Sequence, residues 1–208
     1  MKRCMVIASV PIQNADLFSE YNPEDCYVIC ADAGLANAER LGIAPNLIVG
    51  DFDSFSGKLP EGVETIRLQV EKDETDTLAA VKEGLKRGLR DFVLLGVLGG
   101  EREDHTFANF CVLQYLCRQD CKAVLLGEKC RVFLISSGRL TLSGVKGSTV
   151  SVFPFGCPSC RVSYLGLKYP LTNAVLYSCD ALGVSNRVVE DEARIAVHDG
   201  DALIFVGP

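Results

Sequence analysis

Several features that would identify common protein classes are missing from this chain. Its 208 residues contain no apolar run near the roughly 18 residues that a membrane span requires. Basic residues are the minority: 21 Lys and Arg against 27 Asp and Glu give a net charge of −6, which argues against a broad nucleic-acid-binding surface. A hydrophobic share of 48% is typical of globular proteins and excludes a disordered chain or a fibre.

Two widespread nucleotide-binding signatures are also missing. No Gly-x4-Gly-Lys-Ser/Thr segment occurs, so the sequence does not support a P-loop nucleotidase. No Gly-x-Gly-x2-Gly segment occurs either, so a dinucleotide-dependent dehydrogenase is equally unsupported.

Cysteine is abundant, but its spacing lacks the pattern of a structural zinc site. The ten cysteines include one close pair, Cys157 and Cys160, and neither histidine lies near it in sequence. We interpret the thiols as buried or turn residues; metal or redox chemistry at this pair is the alternative. The apolar start of the chain is interrupted by Gln13 too early for an export signal. We therefore expect a first strand there, reduced cysteines and a cytoplasmic protein.

The first part of the chain alternates between two kinds of pattern. Leu78, Val81 and Leu85 recur at helical spacing, and similar stripes begin at Leu35 and Phe107. Short β-rich runs lie between them, at residues 4–8, 27–30, 47–49, 65–68, 92–95 and 123–126. This alternation predicts an α/β domain over residues 1–127, with an open, mostly parallel sheet and flanking helices.

The remaining residues have a different pattern of residue types. Short runs rich in β-branched and aromatic residues are separated by Gly, Pro, Ser and Asn, and no long helix is indicated. The predicted strands are residues 131–135, 140–142, 149–153, 161–164, 175–177, 187–189, 194–197 and 202–206. We predict an all-β domain over residues 128–208, an antiparallel sandwich or barrel.

Acidic residues follow four predicted strands of the α/β domain. Because ligands bind beyond the carboxyl ends of strands in open α/β sheets, we expect these residues to meet at one edge. Crowded carboxylates repel one another, and a hard divalent cation shared with a polyphosphate would compensate them. Strand by strand, the candidates are Asp32 and Gly34; Asp51 and Asp53; Asp73, Thr75 and Asp76; and Gly99, Gly100, Arg102, Asp104 and His105.

The clearest pair is Asp51 and Asp53. Residues two apart in extended backbone project to the same side, so both carboxylates would reach one metal while Phe52 turns into the core. An Asp turn with Ser54 as a helix cap is the alternative.

Two predicted helix starts add candidate phosphate-binding groups. Thr75 can donate to phosphate and Asp76 can bind its magnesium, whereas an N-cap role for Asp73 is the structural alternative. At the next helix start, Arg102 and His105 would assist, and tandem glycines allow close backbone approach.

Several motifs, taken in order, resemble thiamine pyrophosphokinases. In the first domain they are Gly50-Asp51-Phe52-Asp53-Ser54, then Lys72-Asp73-x-Thr75-Asp76, then Gly99-Gly100 followed by Asp104-His105-Thr106 and Asn109. In the second they are Gly166-Leu167-Lys168-Tyr169-Pro170-Leu171 and Gly183-Val184-Ser185-Asn186. The family's Gly-Gly-Arg-x-Asp-His segment has one extra residue here, between Gly100 and Arg102.

The resemblance implies a function and a site. The reaction would move a pyrophosphoryl group from ATP to thiamine, giving thiamine diphosphate and AMP, in a homodimer whose sites form across the subunit interface. Asp51, Asp53, Asp76 and Asp104 would hold Mg²⁺, with Asp73 completing the catalytic set. ATP would contact Asp32, Gly34, Thr75, Gly99, Gly100, Arg102, His105 and Asn109, and thiamine would contact Ser185 and Asn186. The alternatives are transfer to another small alcohol or a non-catalytic nucleotide sensor.

Overall fold

The computed structural model describes residues 2–14, 18–52, 59–69 and 73–208. The predicted residues Asp53, Ser54 and Lys72 lie outside these ranges. Contacts divide the chain into two units, Met1–Glu128 and Lys129–Pro208. Across the described ranges, no helix combines the length and the apolar character needed to cross a membrane.

The first unit contains a parallel sheet. Its strands are β1 (Arg3–Ile7), β2 (Cys26–Ala31), β3 (Leu47–Gly50), β4 (Glu64–Arg67), β5 (Asp91–Leu95) and β6 (Lys122–Gly127). They lie in the order β6-β5-β1-β2-β3-β4, and every neighbouring pair runs parallel. The central strands are continuous apolar runs because both faces of a parallel sheet are buried. Met5, Ile29 and Leu94, for example, are fully buried.

Within the described part of this unit, the α-helices that flank the sheet are α1 (Gly34–Leu41), α2 (Asp76–Lys86) and α3 (Glu103–Arg118). The helix α1 stops at Gly42, whose φ of 68° gives the left-handed C-cap that glycine adopts without strain. The helix α2 packs closely, since a Cβ on Gly84 would lie 2.8 Å from the ring of Phe92. Because α1 and α3 follow β2 and β5 directly, their first turns lie at the carboxyl ends of the strands.

The second unit is antiparallel. Its strands are β7 (Cys130–Ser143), β8 (Thr149–Pro154), β9 (Ser159–Leu165), β10 (Ala174–Tyr177), β11 (Asn186–Arg187) and β12 (Glu192–Val206). The long strand β12 pairs with β7, β8 and β9. The core between the strands includes Tyr164, Ile195 and Ile204. This α/β plus all-β architecture confirms the predicted fold class.

Some predicted strand boundaries were wrong. Residues 131–135 and 140–142 form the single strand β7, and residues 194–197 and 202–206 form the single strand β12. The pairing register of β12 shifts between Val197 and Asp201, where Gly200 has a φ of 75°. Such a bulge bends a strand without ending it, although its glycine resembles a turn in the sequence. The predicted strand at residues 187–189 is reduced to β11.

The cysteines are all free thiols. Cys4, Cys26, Cys30 and Cys160 are buried, and burial raises the pKa of Cys160 to about 11. The Cys157 thiol donates to the carbonyl oxygen of Asp201 at 3.5 Å. The four buried thiols fit the interpretation of buried or turn residues, but Cys111 does not, because it is exposed on α3.

Candidate functional site

Two adjoining clefts open at the carboxyl ends of the strands in the first unit. The acidic cleft has a volume of about 560 Å³, and the carboxylates of Asp32, Asp51, Asp73, Glu74 and Asp76 line it. The glycine cleft has a volume of about 480 Å³, and its lining includes Gly96, Gly99, Gly100 and Asn109. The wall shared by both consists of Ala8, Ser9, Thr75, Thr77, Arg102 and His105.

The structure therefore brings together most of the predicted residues of the first unit. Carboxylates that follow β2, that follow β3 and that open α2 face one cleft, as the rule for parallel sheets predicts. Two predicted residues, Gly34 and Asp104, line neither cleft. Gly34 has a packing role instead, because a Cβ there would lie 2.0 Å from the Ile7 carbonyl oxygen.

Asp32 lies in a strained and electrostatically unfavourable position. Its backbone has a φ of 46°, which is uncommon for a residue other than glycine. Its Oδ1 atom is buried and has no hydrogen-bond partner among the residues that the structure describes. Burial raises the pKa of the Asp32 carboxyl, and the neighbouring charges of Asp76 and Asp51 raise it further. The close approach requires Gly50, since a Cβ there would lie 2.9 Å from the Asp32 Cα.

The backbone after β3 does not continue as the extended segment that was predicted. The strand ends at Gly50, and Phe52 has a φ of 60° in the left-handed region. The Phe52 ring does not turn into the core; it is half-buried, and the Arg67 guanidinium lies 5.3 Å from its centre. The alternation argument for Asp51 therefore fails at this turn, although Asp51 still lines the acidic cleft.

The start of α2 is fixed by two contacts. Thr75, and not Asp73, is the N-cap: its hydroxyl accepts from the Leu78 amide at 3.2 Å. Glu74 forms an ion pair with Lys82, one and a half turns into α2, and this hydrogen bond raises the pKa of Lys82. The Glu74 carboxylate is thus already paired, a contact that the sequence analysis missed.

The first turns of α3 form an exposed ion pair and hold the preceding loop by hydrogen bonds. Arg102 Nη2 lies 2.6 Å from Asp104 Oδ2, and this hydrogen bond lowers the pKa of Asp104. Thr106 Oγ1 accepts from the Gly99 amide at 3.1 Å, and Asn109 Nδ2 donates to the Val97 carbonyl at 2.8 Å. Asn109 therefore lines the glycine cleft with a side chain that also holds residues 96–100, the glycine loop.

The predicted metal ligands form only part of a site in what the structure describes. Asp51 and Asp76 line the acidic cleft, Asp104 lies outside it, and Asp53 is not described. Among the described residues, no three or more His, Cys, Asp or Glu side chains are grouped so that they could hold a metal. Any cation bound here would need additional oxygen ligands from a substrate, from water or from the remaining residues.

The predicted thiamine-binding residues lie in the second unit, before and within β11. Asn186 is buried, and its amide accepts from the Tyr169 backbone N–H at 3.0 Å and donates to the Tyr169 carbonyl at 2.8 Å. Ser185 is exposed, with a φ of 58°, and its amide donates to Ser151 Oγ at 3.0 Å. Asn186 thus shapes the surface, while the Ser185 hydroxyl is presented to solvent.

Two residues that line both clefts escaped the sequence analysis. Ser9 follows β1 closely, and Thr77 is the second residue of α2. Their positions could have indicated a site, because one hydroxyl follows a predicted strand and the other lies at a predicted helix start.

Comparisons with known proteins agree with this architecture. The family model described as "Thiamin pyrophosphokinase, catalytic domain" matches residues 18–125, and "Thiamin pyrophosphokinase, vitamin B1 binding domain" matches residues 138–200. A thiamine pyrophosphokinase from Bacillus subtilis is 24% identical over 99% of this chain and 98% of its own length. Thiamine pyrophosphokinase 1 from Oryza sativa subsp. japonica is 28% identical over 84% of this chain and 76% of its own length.

Solved structures show the same fold. The crystal structure of the B. subtilis protein superposes with a TM-score of 0.89 at 22% identity, covering 99% of both chains. The thiamin pyrophosphokinase from Candida albicans superposes with a TM-score of 0.81 at 19% identity, covering 99% of this chain and 88% of that one. Since the catalytic-domain model alone spans more than half of its residues, this chain belongs to the thiamin pyrophosphokinase family.

Proposed function

We propose that this protein transfers a pyrophosphoryl group from ATP to the hydroxyl of thiamine and releases AMP and thiamine diphosphate. The observation that carries the proposal is the acidic cleft, where carboxylates that follow β2, follow β3 and open α2 meet. Family membership supplies the substrates, and the cleft supplies a place where a cation and a triphosphate would neutralise these charges.

Mg²⁺ fits the donor set of the acidic cleft. Mg²⁺ prefers oxygen ligands and is commonly held by one or two carboxylates plus substrate phosphates, so a closed group of three protein ligands is not required. The buried Oδ1 of Asp32, which has no partner among the described residues, is an oxygen that a cation would satisfy. We propose Asp51 and Asp76 as ligands inside the cleft, whereas ligand roles for Asp53 and Asp104 stay predictions of the family resemblance.

The shared wall and the glycine cleft would receive the nucleotide. Arg102 and His105 are the basic side chains that line both clefts. To bind phosphate, Arg102 must leave its exposed partner Asp104. An exposed ion pair of this kind contributes little stability, so the exchange costs little. Gly99 and Gly100, with φ values of 78° and 81°, let the backbone approach the nucleotide closely.

The chemistry demands mainly positioning and neutralisation of charge. The thiamine oxygen forms a bond to the β-phosphorus, the bridge from that phosphorus to the α-phosphate oxygen breaks, and AMP departs. Bound Mg²⁺ would supply charge stabilisation on the phosphate oxygens. We propose that Asp73 accepts the hydroxyl proton, because Asp73 lines the acidic cleft whereas Asp104 is paired outside it.

The acceptor site is proposed at the exposed hydroxyl of Ser185, on a surface shaped by Asn186. Tyr169, whose backbone is bound to Asn186, is 59% exposed. The Lys168 ammonium lies 5.3 Å from the centre of its ring, and the other face of the ring could contact an organic ring. A homodimer with sites shared across its interface, and a cytoplasmic location, stay predictions of the family resemblance and the sequence.

The test is an assay of purified protein with ATP, thiamine and Mg²⁺, with both products identified by mass. Formation of AMP and thiamine diphosphate is expected, and ADP release, transfer to another alcohol only, or no turnover would each contradict the proposal. Asp51→Asn and Asp76→Asn should lower kcat by about 100-fold or more, since each removes charge where the transition state needs it. Asp25→Asn is the matched control, because Asp25 is exposed at the opposite end of β2.

A further inference from the structure

We propose that Asn37 is a positioning residue for the nucleotide: its side-chain amide fixes the loop of residues 8–12, which supplies Ala8 and Ser9 to the wall shared by both clefts. The inference rests on the proposed function. Asn37 lies on α1 and lines neither cleft, so its action must pass through the loop.

The amide of Asn37 uses its donors and its acceptor on this loop. Nδ2 donates to the Ala8 carbonyl at 2.8 Å and to the Val10 carbonyl at 2.9 Å. Oδ1 accepts from the Ile12 amide at 3.3 Å and from Arg40 Nη2 at 2.9 Å. With 5% of its surface exposed, Asn37 makes these bonds where water cannot replace them.

The opposite side of the loop is held by the sheet. The Ala8 amide donates to the Leu95 carbonyl at 2.8 Å, and the Val10 amide donates to the Gly96 carbonyl at 2.9 Å. The fit is tight, since a Cβ on Gly96 would lie 2.4 Å from the Ala8 carbonyl oxygen. The amide and the carbonyl of both residues are therefore engaged.

The consequence falls on Ser9 and on the glycine loop. Ser9 lies between the two anchored residues and lines both clefts. The Val10 side chain also limits the glycine loop, because a Cβ on Gly100 would lie 3.2 Å from Val10 Cγ2. A loop fixed at Ala8 and Val10 presents one geometry to the nucleotide, and losing these bonds would let the wall move by the small distance that matters for catalysis.

The residue type required is specific. An aspartate has the same shape but no donor, so it would keep the bonds from Ile12 and Arg40 and set a carboxylate against two carbonyl oxygens. Alanine would remove all these bonds. Both substitutions should therefore loosen the loop, and they differ in that only aspartate adds charge.

Asn46 provides a matched control. It precedes β3 at the amino end of the sheet, and its Oδ1 accepts from the Val28 amide at 2.8 Å. Asn46→Asp keeps this acceptor, and Asn46→Ala loses one backbone contact far from either cleft. Both control variants should retain the wild-type KM for ATP.

The experiment measures KM for ATP, kcat, thermal stability and amide hydrogen exchange in residues 8–12 for all four variants. We expect Asn37→Ala and Asn37→Asp to raise KM for ATP about tenfold, with faster exchange at Ile12, while KM for thiamine changes by less than about twofold. If Asn37→Ala does not fold, Asn37→Ser leaves a hydroxyl that can still donate and serves as the milder variant.

Two results would overturn the inference. One is an unchanged KM for ATP in folded Asn37 variants whose melting temperature falls, since a purely structural residue behaves in that way. The other is unchanged exchange in residues 8–12. Failure of the wild-type protein to convert ATP and thiamine would instead contradict the proposed function, and the exchange measurement would still decide whether Asn37 fixes the loop.

Discussion

Asp32→Asn should stabilise the protein when nucleotide and metal are absent. Asp32 is half-buried, its Oδ1 has no partner among the described residues, and Asp51 and Asp76 add repulsion. An asparagine of the same shape would place an amide N–H₂ where the unpaired oxygen lies, and that group can donate to the neighbouring carboxylates. The same substitution removes an oxygen that the proposed cation would satisfy, so the variant should gain stability and lose activity.

The size of the effect follows from the position. An unsatisfied buried polar group costs about 1–3 kcal/mol, and partial exposure of Asp32 argues for the lower end. For a folding unit that ends at Glu128, about 1 kcal/mol corresponds to a rise of about 3–4 °C in Tm.

The gain should depend on pH in a defined direction. The pKa of Asp32 is raised in the folded protein, so the carboxyl binds its proton more tightly there than in the unfolded chain. The corresponding stability is fully present below the unfolded pKa and is lost as pH rises through the folded pKa. The advantage of Asp32→Asn should therefore be largest at neutral pH and should shrink as the wild-type carboxyl becomes protonated.

Differential scanning calorimetry at neutral and mildly acidic pH, without ligand, measures this advantage. Asp91→Asn is the control of opposite sign, because Asp91 has a partner: its Oδ2 lies 2.8 Å from Arg3 Nη2. That variant should lose about 0.5–1 kcal/mol. A lower Tm for Asp32→Asn at neutral pH, or an advantage that grows on acidification, would refute the reasoning.

Two further predictions concern residues that organise the site. Asn186→Ala should lower the stability of the second unit by about 1–2 kcal/mol, measured by urea unfolding, because it removes two hydrogen bonds to the Tyr169 backbone. Ser185→Ala should leave stability unchanged and raise KM for thiamine. Lys82→Ala should raise KM for ATP by about two- to fivefold at low salt, and by less at high salt, because Glu74 would add its charge to the acidic cleft. The control Lys86→Ala removes an exposed partner of another glutamate and should leave KM for ATP unchanged.

Most of the fold was predictable because it depends on local patterns. The buried run at residues 92–95 became β5, and the stripe of Leu78, Val81 and Leu85 became α2. The two long strands of the second unit were not predictable in the same way. At Gly200 a strand bends and changes partners, and a bulge and a turn have the same composition over a few residues.

The convergence of Asp32, Asp51 and Asp76 was predictable from topology, because the chain meets the same edge of a parallel sheet after each strand. The left-handed turn at Phe52 was not predictable, since a positive φ is uncommon for phenylalanine and nothing in the sequence indicates it. Asn37 was equally hidden. Its hydrogen bonds to residues 8–12 span 25 to 29 residues, and an asparagine in a helix has no periodic signature.

The acidic edge carries a free-energy cost that the substrates would remove. Asp32 and Phe52 both have left-handed backbones, a strain of about 1–3 kcal/mol each, and the carboxylates of Asp32, Asp51 and Asp76 disfavour one another. A ligand that neutralises the carboxylates would offset this cost, which fits the proposed function. A ligand at 100 times its Kd contributes about 2.7 kcal/mol of stability, comparable to this cost. Mg²⁺ and ATP together should therefore raise the wild-type Tm more than that of Asp32→Asn, because the variant has already relieved the repulsion that binding would remove.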